Sequence, residues 1–241
     1  MKKEIYSKDN KEIKYLYRLY SDRKFRKDEK KFIIEGYNLV EEAKNAGILK
    51  NVYSLKEEKA YPEATIISQE LMNKVCDSVT PQGIIGVCEA KLKSELGDKV
   101  LYLDHLQDPG NVGTLLRSAR AFKFDTIVLD QCVDLFNPKT LRSSEGNLFY
   151  LNFVNYTIDE LKNKGYVILG TAMHGKLLEE FKENYPKVVL VLGNEGSGVS
   201  ESILKKSYIK LTVSMNGTES LNVSTAGAII MHHLAYNVKK I

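Results

Sequence analysis

The sequence has few of the features that mark secreted, metal-bound or membrane-embedded proteins. It contains only three cysteines in 241 residues, Cys76, Cys88 and Cys132, with no Cys-x-x-Cys or Cys/His ligand spacing. This pattern predicts neither a disulfide framework nor a zinc site, and it fits a reducing compartment. The longest apolar runs, such as residues 188–192, are far shorter than the about 20 residues of a membrane span. The charged start lacks the apolar core of a secretory signal, so we expect a cytoplasmic protein.

The overall composition is that of an ordinary globular protein. Hydrophobic residues make up 43% and charged residues 27% of the chain, which argues against disorder. The length suffices for one large domain or two modest ones. A polar, charged stretch at residues 89–98 interrupts the pattern. We therefore predict two domains, comprising residues 1–94 and 95–241.

Positive charge is concentrated at the front of the chain. Residues 1–31 hold twelve Lys or Arg and six Asp or Glu, although the net charge of the whole chain is only +4. Aromatic residues alternate with these basic ones, as in surfaces that bind a phosphate backbone. A solvated helix face is the alternative explanation. The candidate residues for contact with phosphate are Arg18, Arg23, Lys24 and Arg26.

Hydrophobic periodicity predicts an α/β fold. In the front half it indicates helices at 11–20, 37–45 and 69–76 and strands at 32–34, 52–55, 66–67 and 84–88, with a basic connector before residue 32. In the second half it indicates strands at 100–103, 126–129, 153–154, 166–169, 188–192 and 208–213, and helices at 114–122, 138–144, 158–164, 177–181 and 223–238. Short apolar strands that alternate with helices are typical of a mainly parallel sheet covered on both faces.

Three segments rich in Gly, Asn and Ser follow predicted strands, where ligands bind in open α/β sheets. The first, 104–117, leads from a strand through Pro109-Gly110 into a helix. Asn111 or Thr114 is its expected N-cap. Arg117 is expected in the first turns, where a positive charge opposes the helix dipole and would favour a phosphate or carboxylate site.

The second and third segments are weaker signals when each is taken alone. Residues 193–198 hold three glycines in the spacing G-x-x-G-x-G, which is neither a dinucleotide fingerprint nor a P-loop. Such glycines allow close backbone approach to a ligand, but a tight turn explains them equally well. In residues 214–228, Ser220 or Asn222 could simply cap the last helix.

Together and in this order, the three segments resemble the motifs of the SpoU–TrmH family of RNA ribose 2′-O-methyltransferases. Asn111, Gly113 and Arg117 match N-x-G-x-x-x-R, residues 193–198 match G-N/A-E-G-x-G, and residues 220–224 match S-L-N-V-S. The front half resembles the RNA-substrate-binding domain of that family, at residues 32–43 and at 80–84. One departure is Val213-Ser214-Met215 where the family usually has I-P-M, and the missing proline is expected to loosen that loop.

The resemblance implies a specific architecture and reaction. It implies a parallel-sheet domain whose C-terminal part forms a deep trefoil knot, a rare exception to the usual connection rules. It also implies a small α/β/α front domain similar to certain ribosomal proteins. S-adenosylmethionine would bind in the knot, and two subunits would pair across it. The implied reaction is methyl transfer to a ribose 2′-hydroxyl of RNA, with ribosomal RNA preferred and transfer RNA as the alternative.

The same resemblance assigns roles to residues of this sequence. The residues implied to contact the cofactor are Gly193, Val213, Met215 and Leu221. The residues implied to form the catalytic surface are Asn111, Arg117, Glu195, Ser220 and Asn222. Arg117 is the implied general base, although its pKa above about 12 favours electrostatic stabilisation or a grip on phosphate. Glu195 is expected to orient Arg117 or Asn111.

Two other functions fit parts of the sequence. One is a non-enzymatic RNA-binding or assembly protein of the same fold, against which the complete set of motif residues argues. The other is a nucleotide-binding oxidoreductase, against which the missing dinucleotide fingerprint argues. Binding of S-adenosylmethionine in preference to NAD would separate these alternatives.

Overall fold

The computed structural model describes residues 3–76, 81–217 and 220–236. Its contacts divide the chain into two compact units, one comprising Met1–Lys91 and Asp134–Phe149 and the other Leu92–Val133 and Tyr150–Ile241. The sequence predicts a single boundary and gives no sign that residues 134–149 group with the front of the chain. Some of the sequence features lie outside the described residues: Thr80, Thr218, Glu219 and the predicted helix end at 237–238.

The described chain contains both helices and strands, and they alternate along much of its length. As far as residue 91 the elements are β1 (Glu4–Ile5), α1 (Lys11–Ser21), α2 (Arg23–Glu29), β2 (Lys31–Glu35), α3 (Tyr37–Asn45), β3 (Leu49–Ser54), β4 (Thr65–Ile67), α4 (Gln69–Val75) and β5 (Ile84–Glu89). From residue 92 they are β6 (Lys99–Asp104), α5 (Pro109–Ala121), β7 (Thr126–Asp130), α6 (Pro138–Ser144), β8 (Asn152–Phe153), α7 (Ile158–Asn163), β9 (Val167–Leu177), β10 (Val188–Gly193), α8 (Glu201–Leu204), β11 (Ile209–Thr212) and α9 (Val223–Tyr236). Short 3₁₀ helices occur at Asn147–Tyr150 and Leu178–Glu180.

The first unit is built on a mixed sheet with the strand order β1-β4-β3-β5-β2 in the described residues. The strand β5, which lies between β3 and β2, is buried on both faces, as its continuous apolar sequence predicts. Ile85 and Val87 of β5 join the apolar residues of α1 and α4 in one core cluster. The alternate residues Ile84 and Cys88 are equally buried. They face the side on which α3 packs, so this unit has the predicted α/β/α layering.

The basic connector of the sequence prediction is instead the helix α2, and this changes the role of Arg26. Asp22 caps α2 by accepting a hydrogen bond from the Phe25 amide. Arg26 is only 5% exposed, and its guanidinium donates to the Leu19 carbonyl and to Asp134 Oδ2, at 2.9 and 2.6 Å. The prediction that Arg26 binds RNA is wrong, because this side chain is buried and already paired inside the first unit.

The second unit contains an all-parallel sheet, as the sequence predicts. Its strand order in the described residues is β11-β9-β10-β6-β7-β8, with β10 paired on both sides to β6 and β9. On one face, Val100, Val189 and Val191 belong to a cluster with α7 and α8. On the other face, α9 packs closely, since a Cβ at Gly227 would lie 2.5 Å from side-chain atoms of Leu115 and Leu192. The trefoil knot stays a prediction.

Two elements of this sheet differ from the sequence prediction. The strand β9 continues to Leu177, where a helix was predicted, and only a 3₁₀ turn follows. Its pairing with β11 also jumps, because Lys210 lies opposite Gly170 while the next residue, Leu211, lies opposite Lys176. Residues 171–175 therefore loop out of the sheet. No helix among the described residues is both long and apolar enough to cross a membrane.

Candidate active site

The helix α5 begins five residues earlier than the sequence predicts. Asp108 is its N-cap and accepts a hydrogen bond from the Asn111 amide at 2.8 Å, and Pro109 occupies the first turn. Proline suits this position because its missing N–H would be unpaired there in any case. Arg117 is consequently the ninth of thirteen helical residues. The argument from a positive charge in the first turn is wrong for Arg117, which is exposed in the third turn.

Glu195 is the point at which two strand-end loops meet. Its Oε1 accepts hydrogen bonds from the Asp108 amide at 3.0 Å and from Asn111 Nδ2 at 3.2 Å. Its Oε2 accepts from the Gln107 amide at 3.3 Å and from Asn194 Nδ2 at 3.4 Å. One carboxylate thus ties the loop after β10 to the loop after β6.

This environment keeps the Glu195 carboxylate ionised. Partial burial opposes ionisation, but hydrogen bonds from the backbone amides of Glu195 and Asp108, from the Asn111 side chain and from the Gln107 amide hold its pKa below the ordinary value. A carboxylate with a lowered pKa and four donors around it is a weak proton acceptor near neutral pH. Glu195 therefore positions neighbouring groups.

Asn222 brings the third segment into the same network. Its Nδ2 donates to Asn111 Oδ1 at 2.9 Å. Its Oδ1 accepts from the amide and hydroxyl of Ser224, at 2.8 and 2.6 Å, so it also caps the start of α9. Asn111 is held from both sides, because its amide nitrogen faces Glu195 and its oxygen faces Asn222. The polar network thus joins residues from all three sequence segments.

A cleft with a volume of about 480 Å³ opens beside this network, at the carboxyl ends of β9, β10 and β11. The sequence-predicted residues that line it are Gly193, Glu195, Val213, Met215, Ser220 and Leu221. Asn111, Arg117 and Asn222 are not among its lining residues. All four predicted cofactor contacts therefore share one cavity, and the three remaining predicted catalytic residues lie outside it.

The glycines of the loop 193–198 have different structural reasons. A Cβ at Gly193 would lie 2.0 Å from the Val199 amide nitrogen, so this glycine is required by the protein's own backbone. Gly198 has a left-handed φ of 71°, which favours glycine. Neither reason applies to Gly196, where a Cβ would meet only Asn194 Oδ1, at 3.6 Å. Since Gly196 lines the cleft, its missing side chain leaves room there for a ligand.

Sequence reasoning missed several residues that shape the site. Asn194 accepts hydrogen bonds from the Gly196 and Ser197 amides and donates to the His105 carbonyl, at 2.9 Å. The loop 171–175 forms one wall of the cleft. Asp108 and Asn194 lie within the first and second sequence segments. Asp and Asn favour turns and helix caps, and this preference could have identified both residues. Hydrophobic periodicity did not predict the loop 171–175 within β9.

Comparison with known proteins identifies the family. The family model for the SpoU rRNA methylase family matches residues 98–232, and the model for the MRM3-like substrate binding domain matches residues 10–86. The chain is 39% identical to the 23S rRNA (guanosine(2553)-2′-O)-methyltransferase RlmP of Bacillus subtilis, over 96% of this chain and 99% of that one. The protein belongs to the SpoU rRNA methylase family.

Solved structures of RNA methyltransferases have the same fold. An RNA 2′-O ribose methyltransferase matches with a TM-score of 0.82 and 27% identity, covering 96% of this chain and 97% of that one. An AdoMet-bound rRNA methyltransferase from Sinorhizobium meliloti matches with a TM-score of 0.85, covering 98% and 97%. That structure is 23% identical, so it supports the fold alone. The family resemblance found in the sequence is confirmed.

Proposed function

We propose that this protein transfers a methyl group from S-adenosylmethionine to a ribose 2′-hydroxyl of 23S ribosomal RNA. The observation that carries the proposal is the hydrogen-bonded series Glu195–Asn111–Asn222, which assembles the three family motifs beside one cleft. The RNA class follows the Bacillus subtilis relative, which is named for a guanosine of 23S rRNA. The proposal places the enzyme in the cytoplasm, where bacterial ribosomes assemble.

The cleft suits S-adenosylmethionine in size and lining. Drug-sized ligands occupy pockets of about 300–1,000 Å³ with mostly apolar walls and a few polar groups. Here the predicted contacts Gly193, Val213, Met215 and Leu221 supply apolar surface and backbone groups, and Gly196 keeps part of the wall free of side chains. When bound, the cofactor supplies a methyl group made electrophilic by a sulfonium. The fit of these residues supports their assignment as its holders.

The chain's own residues must then position the ribose hydroxyl and manage its proton. Asn111 is fixed between Glu195 and Asn222, so it presents a constant geometry toward substrate. Ser220 lines the cleft. Arg117 is exposed on α5, six residues after Asn111, and carries a permanent positive charge. We assign it to the target's phosphate and to the charge that develops on the hydroxyl oxygen, rather than to proton abstraction.

The first unit supplies a surface for RNA. Arg18, Arg23 and Lys24 are exposed on α1 and α2, and the Arg18 guanidinium lies 3.8 Å from the centroid of the Phe25 ring. Such stacking holds the plane of the guanidinium in place and leaves its N–H groups free to bind a phosphate. The match of residues 10–86 to a substrate binding domain supports this role. Without Arg26, these three residues form the proposed RNA-contacting set.

An apolar surface on the second unit fits the implied homodimer. Phe122, His232 and Tyr236 pack edge to face or tilted against one another at the ends of α5 and α9, with ring centroids 5.2–6.4 Å apart. Tyr236 is 59% exposed and the nearby Ile229 is 40% exposed. Contiguous exposed apolar groups mark association surfaces. Sedimentation of the parent and of Tyr236→Lys tests the dimer, and two identical monomeric profiles would contradict it.

The reaction is tested by following labelled methyl groups from S-adenosylmethionine into unmodified 23S rRNA. The parent protein is expected to transfer the label. Arg117→Ala is expected to abolish transfer while binding the cofactor with unchanged affinity, because Arg117 does not line the cleft. Transfer by Arg117→Ala near the parent rate would show that the arginine has no catalytic role.

A further inference from the structure

The cleft carries its charges on opposite walls. Among its lining residues, Glu195 is the acidic one, and His174 and Lys210 are the basic ones. Glu195 follows β10, and its oxygens are taken up by the donors of the two loops that it joins. Lys210 lies in β11, which β9 separates from β10. Two strand spacings place the Lys210 backbone about 10 Å from β10.

The protein's own backbone holds the basic wall in place. The loop 171–175 is anchored at one end by Thr171, whose hydroxyl donates to the Val191 carbonyl at 3.0 Å. At the middle of the loop, the Thr212 hydroxyl donates to the Met173 carbonyl at 3.1 Å. The loop also closes directly on Lys210, because a Cβ at Gly175 would lie 2.4 Å from the Lys210 carbonyl oxygen.

This closure fixes the backbone positions of the two basic residues. His174 directly precedes Gly175, so its backbone is held next to that of Lys210, and both side chains line the cleft. The two are exposed, and no ion pair is found for either among the described residues. A lysine on a cavity wall opposite the reaction network is placed to receive an anionic group of a bound small molecule.

We propose that Lys210, assisted by His174, binds the α-carboxylate of S-adenosylmethionine. This inference rests on the proposed function and names the residues that orient the cofactor within the cleft. The cofactor's amino-acid tail ends in a carboxylate, and an ammonium group is a good point-charge partner for it. Lys210 would thus hold the tail at the β11 wall, across the cleft from the Glu195 side, where Asn111 and Asn222 lie.

The test compares S-adenosylmethionine with a ligand that lacks the whole amino-acid tail and, with it, the sulfonium charge. Calorimetric titration measures the binding of S-adenosylmethionine and of 5′-methylthioadenosine, which has the same adenosine part and no carboxylate. Lys210→Met is expected to weaken S-adenosylmethionine binding about tenfold, the loss of one exposed charge-assisted hydrogen bond, and to leave 5′-methylthioadenosine binding unchanged. His174→Ala is expected to show the same selectivity with a smaller loss. Lys206→Met, whose lysine pairs with Asp159 outside the cleft, is the control and should bind both ligands like the parent.

The outcomes separate this inference from the proposed function. Equal weakening of both ligands by Lys210→Met, or no weakening of S-adenosylmethionine, would overturn the carboxylate contact while leaving methyl transfer intact. Weaker retention of rRNA with unchanged cofactor binding would show that Lys210 meets an RNA phosphate, and would also overturn it. A parent protein that binds no S-adenosylmethionine at all would instead contradict the proposed function.

Discussion

Replacing Glu195 with glutamine removes two of the four hydrogen bonds that its carboxylate accepts from the loops after β6 and β10. Each carboxylate oxygen accepts two hydrogen bonds, from the Asp108 amide and Asn111 on one side and from the Gln107 amide and Asn194 on the other. A glutamine amide keeps one oxygen and turns an NH₂ group toward two of these donors. Glu195→Gln therefore preserves shape and removes two acceptor contacts.

The expected effect follows from the exposure of the site. Hydrogen bonds to charged groups contribute about 1.5–3 kcal/mol when buried, but Glu195 is exposed and solvent screens its charge. We therefore expect the two lost hydrogen bonds together to contribute about 1–3 kcal/mol. If this energy holds Asn111 in its productive position, the rate constant for methyl transfer falls by about 5- to 150-fold.

Single-turnover methyl transfer measures this effect. Glu201→Gln is the matched control, because Glu201 forms an exposed ion pair with Lys205, four residues further along the chain. Its rate should equal that of the parent. A Glu195→Gln rate within twofold of the parent would refute the positioning role. The lowered pKa of Glu195 also predicts how stability depends on pH. The stabilisation from the ionised carboxylate is present above the ordinary glutamate pKa and is lost as the pH falls through the lower pKa of the folded protein. Glu195→Gln should lack this acid-sensitive part of the stability.

Three further outcomes are expected. Arg26→Ala should lower the free energy of unfolding of the first unit, measured in urea, by about 3 kcal/mol, because it leaves the largely buried carboxylate of Asp134 unpaired. Arg23 is exposed on the same helix, and Arg23→Ala should unfold within about 0.5 kcal/mol of the parent. Equal urea midpoints for the two variants would contradict the buried ion pair. Changing Arg18, Arg23 and Lys24 together to glutamine should lower the steepness of the salt dependence of RNA binding by about two to three, and an unchanged slope would show a merely solvated surface. Gly227→Ala should reduce stability by about 1–3 kcal/mol through overpacking, and a thermal midpoint equal to that of the parent would show that α9 has room to move.

The sequence predicts the fold class well because hydrophobic periodicity reports directly on buried faces. Strands such as β10, with five consecutive apolar residues, are recognised by their burial on both faces. The loop in β9 could not be predicted, since the register jump at Lys210 depends on a partner strand more than thirty residues away. The helix α2 was missed because its charged surface hides the buried Arg26, whose partner Asp134 is 108 residues further along the chain.

At the site too, the sequence predicts the residues of each motif and does not predict the contacts between motifs. The ordered motifs identify Glu195, Asn111 and Asn222, and the family relationship is confirmed by comparison. The two hydrogen bonds that connect them join residues 84 and 111 positions apart in the sequence, and they appear only in the folded sheet. The early start of α5 was missed because Pro109-Gly110 is typical of turns, although proline also suits a first helical turn. Because α5 begins at Pro109, Arg117 lies in the third turn, and the argument that its charge opposes the helix dipole no longer applies.

The most direct test of the account is to map the methylated nucleotide. Purified protein is incubated with labelled S-adenosylmethionine and, in separate reactions, with unmodified 23S rRNA and transfer RNA, and the product is digested to nucleosides. The account predicts label on the ribose 2′-oxygen of a single 23S rRNA nucleotide, with the guanosine that corresponds to the Bacillus subtilis target examined first. Label on a base, label confined to transfer RNA, or no label from a protein that binds the cofactor would contradict it.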